Sequence, residues 1–308
     1  MSEAVLAPID VAEKQISVRR PGGYFKNPWR KPRILASMTW AYLAWSILPV
    51  GIAILVSFTS GRSRAAFQGP LSLRWWVHDS LSVWHDPDLR TAIFQSLRLS
   101  ITTTLIATPI GVAFALGLDR WRGRGSGSSN FLVLLSFVVP ELILGVALFI
   151  VFTQLLRAVH LGTQAQILGL ATFQISYPVI IVRARLLSIG KEFEEAAMDL
   201  GASPIQALRR VLLPLLYPAI FVSAVLVFAD VIDDFIIVRY LSLGAGSEPM
   251  SVKVYTAARG SATPAINAMA TIMLISTLLV ISLGTLVYKR FVKAEKGEST
   301  VKDIALQI

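Results

Sequence analysis

The chain has 308 residues, 54% of them hydrophobic and only 16% charged, where soluble domains average about 45–50% apolar and about 25% charged residues. A soluble fold of this size could not keep so much apolar surface from water, which excludes an ordinary cytosolic enzyme and a disordered chain. The net charge of +10 suits the basic cytoplasmic loops of a membrane protein as well as a nucleic-acid footprint, and the absence of cysteine excludes disulfides, thiolate zinc sites and thiol catalysis.

Residues 1–33 are polar and basic. They read as a cytoplasmic tail rather than a signal peptide, because the apolar run that follows is too long for a signal's core. Six windows nearly free of Asp, Glu, Lys and Arg then follow: 34–61, 99–118, 125–156 with Glu141 inside it, 161–182, 211–238 and 260–288. Each can supply the roughly 20 residues that cross a bilayer. Within lipid they must be helical, since an open strand leaves its backbone unpaired. The predicted fold is therefore an all-α, polytopic membrane protein with six transmembrane helices over residues 34–290 and a cytoplasmic tail over 291–308.

With the N-terminus inside, the inner segments are 1–33, 119–130, 183–214 and 288–308. They hold 20 of the 29 Lys and Arg residues, so both termini are expected to be cytoplasmic. The longest outer loop, 62–92, carries Trp75, Trp76 and Trp84. These predict an interfacial aromatic belt or, as the alternative, a contact surface for an extracytoplasmic partner. Three histidines, His78, His85 and His160, are too few and too scattered for an all-His metal site, and no metal is expected. Pro140 and Pro178 fall inside spans, where they predict kinks or hinges.

The inner segment 183–214 is far longer than a connector needs. Glu192 to Leu200 is rich in helix formers, with acids near its start where the helix dipole favours them. Gly201 suits the left-handed residue that ends a helix. Ser203 and Pro204 read as an N-cap and first-turn proline of a second short helix. Arg209 and Arg210 suit that helix's C-terminal end, and Pro214 marks the boundary with the fifth span. The pattern predicts a helix–glycine turn–helix elbow that exposes the small residues Ala196 and Ala197 for close docking.

Glu195-Ala196-Ala197, then Gly201, then Val211-Leu212-Leu213-Pro214 resemble the EAA signature of ABC-importer permeases. The one departure is Val211 in place of isoleucine, which keeps a branched apolar shape. The resemblance implies that Glu195, Ala196, Ala197, Gly201, Ala202, Ser203, Pro204, Leu213 and Pro214 belong to a coupling element that contacts a partner ATPase. It extends to Pro140-Glu141, to the segment from Asp230 through Asp233-Asp234 to Val238, and to Pro249, Lys253, Tyr255, Pro264 and Asn267. Those residues are similar to the second permease subunit of polyamine-type importers. Resemblance thus implies an inner-membrane permease without catalytic residues of its own. Its implied partners are an ATP-binding ABC ATPase dimer carrying ATP and Mg, a second, non-identical homologous permease, and an extracytoplasmic solute-binding protein. The chain itself would touch membrane lipid but no nucleic acid, and would bind no cofactor.

Glu141, Asp230, Asp233 and Asp234 lie within predicted spans. Each ionised carboxylate at mid-helix costs about 2.5–3.5 kcal/mol on insertion scales, so four facing lipid would cost about 10 kcal/mol. They must face protein or water. Asp230, Asp233 and Asp234 are spaced i, i+3, i+4, which on a continuous helix puts them on one face. They predict a cation-attracting pathway, with Phe235 and Tyr240 as candidate aromatic walls. The alternative is a structural role, in pairs with Arg98, Arg239 or Arg259. For the chain as a whole, the alternatives are a permease for iron, phosphonate, opine or amino-acid-like solutes, an ATP-independent secondary transporter, and a membrane sensor.

Overall fold

A computed structural model describes residues 33–305 apart from 64, 122, 124, 125, 261 and 262. Apart from Arg33, the predicted tail over 1–33 lies outside the described residues. The chain divides into two units after Val50. The first contains most of α1, Arg33–Ser57, an apolar helix with no acidic or basic residue after Arg33. The second contains everything that follows and holds both candidate sites.

Helix α2 is Pro87–Arg120. Asp86 caps it, its side chain accepting from the N–H groups of Asp88 and Leu89, and Pro87 loses nothing there because first-turn N–H groups have no intrahelical partner. Its buried residues include Leu89, Ala92, Leu99, Ala107, Val112 and Ala115, the three-and-four spacing of a core-facing stripe. Gly111 lets α2 approach the next layer closely. A Cβ there would come within 2.7 Å of the Pro178 Cβ and 2.8 Å of the Ile175 carbonyl oxygen.

The predicted third span is two helices, α3 (Ser126–Val138) and α4 (Glu141–Ile150), the latter extended by a π-helical turn to Leu155. The break falls at Val139 and Pro140. Proline has no N–H and keeps the residue before it out of helical geometry. Helices α5 (Thr163–Gln174) and α6 (Ser176–Ile189) make the fourth span, which is irregular at Ile175. Pro178 causes this: its ring crowds the carbonyl four residues back, on Gln174. Pro178 is therefore a local kink within one 27-residue apolar segment.

Two short helices, α7 (Glu192–Asp199) and α8 (Pro204–Ala207), form the elbow. A π-helical turn, Leu208–Leu212, joins α8 to α9, Leu213–Asp233. The boundary expected at Pro214 is a change of helical pitch rather than a gap, because Pro214 occupies the first turn of α9, where proline is tolerated. Arg209 and Arg210 accordingly sit in the π turn and not at a free helix end. The chain then forms α10 (Ile236–Leu241), α11 (Met250–Arg259) and α12 (Ala265–Ala305). Five helical segments are long and apolar enough to span a membrane, and α4 with its π turn is a shorter apolar helix. The all-α, six-crossing architecture holds, with the third crossing divided.

Three apolar clusters stack along the second unit. One, near the 58–86 connector, gathers Trp75, Leu89, Ile232, Met250 and Met269. The middle one contains Leu99, Ala107, Leu170, Val227 and Ile237. The third, at the elbow end, joins Val112, Val182, Leu186, Leu212 and Leu216. Both α2 and the run into α9 contribute to all three.

The tryptophans of the connector correct the belt expectation. Trp75 is 1% exposed and donates its indole N–H to the Gly61 carbonyl at 2.9 Å. Trp76 donates to the Ser57 carbonyl at 3.1 Å and stacks on Phe58. Both rings serve the connector's own core and satisfy backbone carbonyls that the turn leaves free. Trp84 alone of the three is exposed.

Candidate functional site

Two places hold the predicted site residues. The first is a cavity of about 550 Å³ lined by Glu141, Tyr177, Asp230, Asp233, Asp234 and Phe235, among others, with no Lys or Arg in its lining. Local structure explains how the carboxylates arrive there. The break at Pro140 makes Glu141 the first residue of α4, where its charge meets the positive end of the helix dipole. Asp230 lies in the last turn of α9. Its Oδ2 accepts from Gln174 Nε2 at 2.6 Å and its Oδ1 from the Tyr177 hydroxyl at 3.3 Å.

Asp234 departs from the predicted helix face. Helix α9 stops at Asp233, and Asp234 takes φ −56° and ψ 126°. Its Oδ1 accepts from the Val238 N–H at 3.1 Å and so starts α10, a local side-chain bond that competes with helix continuation. Its carbonyl accepts from Ser251 Oγ at 2.6 Å. Asp234 is buried, and its carboxyl group pairs with that of Glu141.

The structure thus brings Glu141, Asp230, Asp233, Asp234 and Phe235 to one cavity, but not Tyr240. Tyr240 packs against the face of α4 at Gly145 instead. Two of the three arginines proposed as structural partners are engaged elsewhere: Arg239 with Glu248 at 3.1 Å, and Arg259 over the Tyr255 ring. Sequence reasoning missed Gln174 and Tyr177. Their only signal was a polar pair, three residues apart, inside an otherwise apolar window.

The second place is the elbow. Glu192, Glu194 and Glu195 occupy the first turn of α7. Gly201 has φ +91°, a conformation that penalises any Cβ. Its N–H bonds the Met198 carbonyl at 2.9 Å, and the Ala202 N–H bonds Ala197 at 3.0 Å, the paired closure of a Schellman turn. Ser203 and Gln206 cap α8 reciprocally. None of the α7 side chains is buried. Ala196 is exposed and Ala197 half-buried. Phe193 is 55% exposed, Ile205 66% and Leu200 90%. Leu213 and Pro214 lie beneath, at the start of α9, half-buried and exposed respectively.

Residues 107–296 match the family described as the binding-protein-dependent transport system inner membrane component. The chain belongs to that family. It is the permease subunit of an ABC importer, a multi-pass inner-membrane protein whose ATP hydrolysis falls to a separate ATPase subunit. It is 30% identical over 258 residues to the spermidine/putrescine transport system permease protein PotC of Escherichia coli K12, covering 84% of this chain and 95% of that one. It is 28% identical over 284 residues to the putrescine transport system permease protein PotI of the same strain, covering 91% and 95%. Among solved structures it resembles a bacterial ABC transporter that imports alginate, with TM-score 0.67, 17% identity and coverage of 86% and 97%. The MetNI methionine transporter gives TM-score 0.57, 19% identity and coverage of 66% and 95%. These two likenesses establish the fold. Among the described residues, no group of three or more acids or histidines is placed to hold a metal ion.

Proposed function

We propose that this permease imports a polyamine or a similar organic polycation, and that the acidic cavity is part of its path. The observation that carries the reading is four carboxylates around one cavity of about 550 Å³ whose lining has no cationic side chain. Ammonium groups are the complementary donors, and Phe235 and Tyr177 offer aromatic faces to an alkylammonium chain. The relatives named for spermidine and putrescine support the same class of solute.

In this reading the elbow faces the cytoplasm, as do both termini, and docks in an ABC ATPase dimer that carries ATP and Mg. Exposed Phe193, Leu200 and Ile205 support it, because a water-facing turn gains nothing from three large apolar side chains unless a partner covers them. A second permease, different from this one, completes the pathway, and a binding protein delivers the solute from the other side. Alternating access follows when closure of the ATPase pair moves the elbow and, through the continuous helix, α9 and its carboxylates.

The test is uptake of radiolabelled putrescine by the assembled importer with Asp233→Asn, an exposed cavity acid that no capping bond uses. The expected result is a fall of about tenfold in uptake, roughly 1.4 kcal/mol, with membrane abundance unchanged. Uptake equal to wild type would overturn the cation path.

A further inference from the structure

Helix α2 has 34 residues, about 50 Å at 1.5 Å per residue, and it contributes to all three apolar clusters. Both of its ends are tied to elements that matter for transport. At the elbow end its last residue, Arg120, bonds through Nη2 to Glu194 Oε1 of α7 at 2.5 Å. The pair borders a cleft of about 430 Å³ that also holds Asp119, Lys191 and Glu195. At the other end Asp88 Oδ2 lies 3.7 Å from Lys253 Nζ of α11. About two turns further along, Ser96 Oγ accepts from the Met250 N–H at 2.8 Å. Helix α11 in turn grips the acidic segment, through Ser251 Oγ to the Asp234 carbonyl and through the Tyr255 ring, 4.4 Å from that of Phe235.

These contacts form an unbroken line from α7 through α2 and α11 to the cavity. It runs beside the covalent route through α8 and α9. We infer that Arg120 is a positioning residue for coupling: it fastens α7 to α2, so that a displaced elbow moves α2 together with α9. The inference rests on the reading of the elbow as the ATPase-docking element. An exposed ion pair of this kind adds little to stability, so its role must show in coupling and not in the melting temperature. Reversing Arg120 would set a carboxylate against Glu194 and Glu195 in the same cleft, where like charges repel and α7 is pushed away from α2.

The experiment measures ATP hydrolysed per putrescine imported by the complete importer in proteoliposomes. Arg120→Glu is expected to raise that ratio about fivefold, as is Glu194→Arg. The double variant, Arg120→Glu with Glu194→Arg, restores it to within twofold of wild type, and Arg120→Lys, which keeps the charge, stays within twofold as well. An unchanged ratio in Arg120→Glu overturns the inference. So does a double variant that is not rescued, which would assign Glu194 to a contact with the ATPase itself. If Arg120→Glu does not assemble, Arg120→Gln is read instead, with a rise of about twofold expected and no change overturning the claim. Gly201→Val is measured alongside. A wild-type ratio in that variant would sink the elbow reading, whereas an altered ratio there with no effect at Arg120 sinks only the strut.

Discussion

Two connectors of this permease handle large apolar side chains differently. The connector of residues 58–86 turns some of them inward, although Phe67, Leu71, Leu81 and Trp84 stay exposed. Trp75 and Val83 are buried among Leu89, Ile232 and Met269, and Thr59 locks the turn through its bonds with the Gln68 backbone, at 2.6 and 2.8 Å. The elbow closes α7 at Gly201 and caps α8 at Ser203, yet leaves Phe193, Leu200 and Ile205 in water. Local structure is equally well specified in both. The difference is that the connector places Trp75 and Val83 in a core cluster, whereas α7 of the elbow has no buried residue, as the proposed docking of a second molecule requires.

Substitutions can break or sharpen this contrast. Trp75→Ala should have the largest effect, about 3–5 kcal/mol of stability, because it removes a buried ring and strands the Gly61 carbonyl. Thermal unfolding in detergent would register it, and an unaltered transition would mean the connector is not a core element. Leu200→Asp should leave that transition within about 0.5 kcal/mol and instead weaken ATPase binding by about 2 kcal/mol, roughly thirtyfold in Kd, as loss of an interface anchor does. A thermal shift without a change in affinity would reverse the assignment of the elbow. Asp79→Asn should have the smallest effect, and one that depends on pH. The Leu81 N–H and then Arg74 hold the Asp79 carboxyl below its ordinary value of 3.8. Its contribution is therefore present at neutral pH and down to that value, and is lost as pH falls through the lowered one. Wild type and variant should differ slightly in unfolding at pH 7 and converge in strong acid. A difference that persists there would place the effect elsewhere.

What the sequence reveals follows the range of the forces involved. The glycine turn and the start of α8 are legible residue by residue, since Gly201, Ser203 and Pro204 act on neighbours three or four positions away, whereas the π turn that takes up Arg209 and Arg210 is not. The six apolar windows were legible because a bilayer imposes length and composition directly. The cavity was legible only in part. Glu141 and the three aspartates stood out as acids in apolar runs. That Gln174 and Tyr177 would bind Asp230 depends on how the fourth span packs against α9, which no local pattern encodes. Tyr240 was drawn to the cavity by proximity in sequence, but α10 turns it towards Gly145. The i, i+4 arithmetic failed at Asp234 because it presumes an unbroken helix, and Asp234 is itself the residue that ends one. Trp75 and Trp76 were misread for a related reason: composition detects aromatic residues near an interface but not the backbone carbonyls awaiting their N–H groups.

The break at Pro140 bears on the mechanics of the crossing it divides. The Val139 N–H still reaches the Leu135 carbonyl at 2.9 Å, and the Pro140 carbonyl accepts from Ile143 and Leu144 at 2.9 and 3.2 Å. Proline fixes its own φ, which leaves φ and ψ of Val139 and ψ of Pro140 as the torsions between the two halves. None of those three bonds spans any of these torsions. Turning about them swings α4 and Glu141 relative to α3 without exposing a new donor to lipid, where an unmet donor is costly. An intact helix would have to give up bonds to bend as far. The compliance of the third crossing therefore resides in the backbone of two residues, Val139 and Pro140, next to the acid that opens onto the cavity.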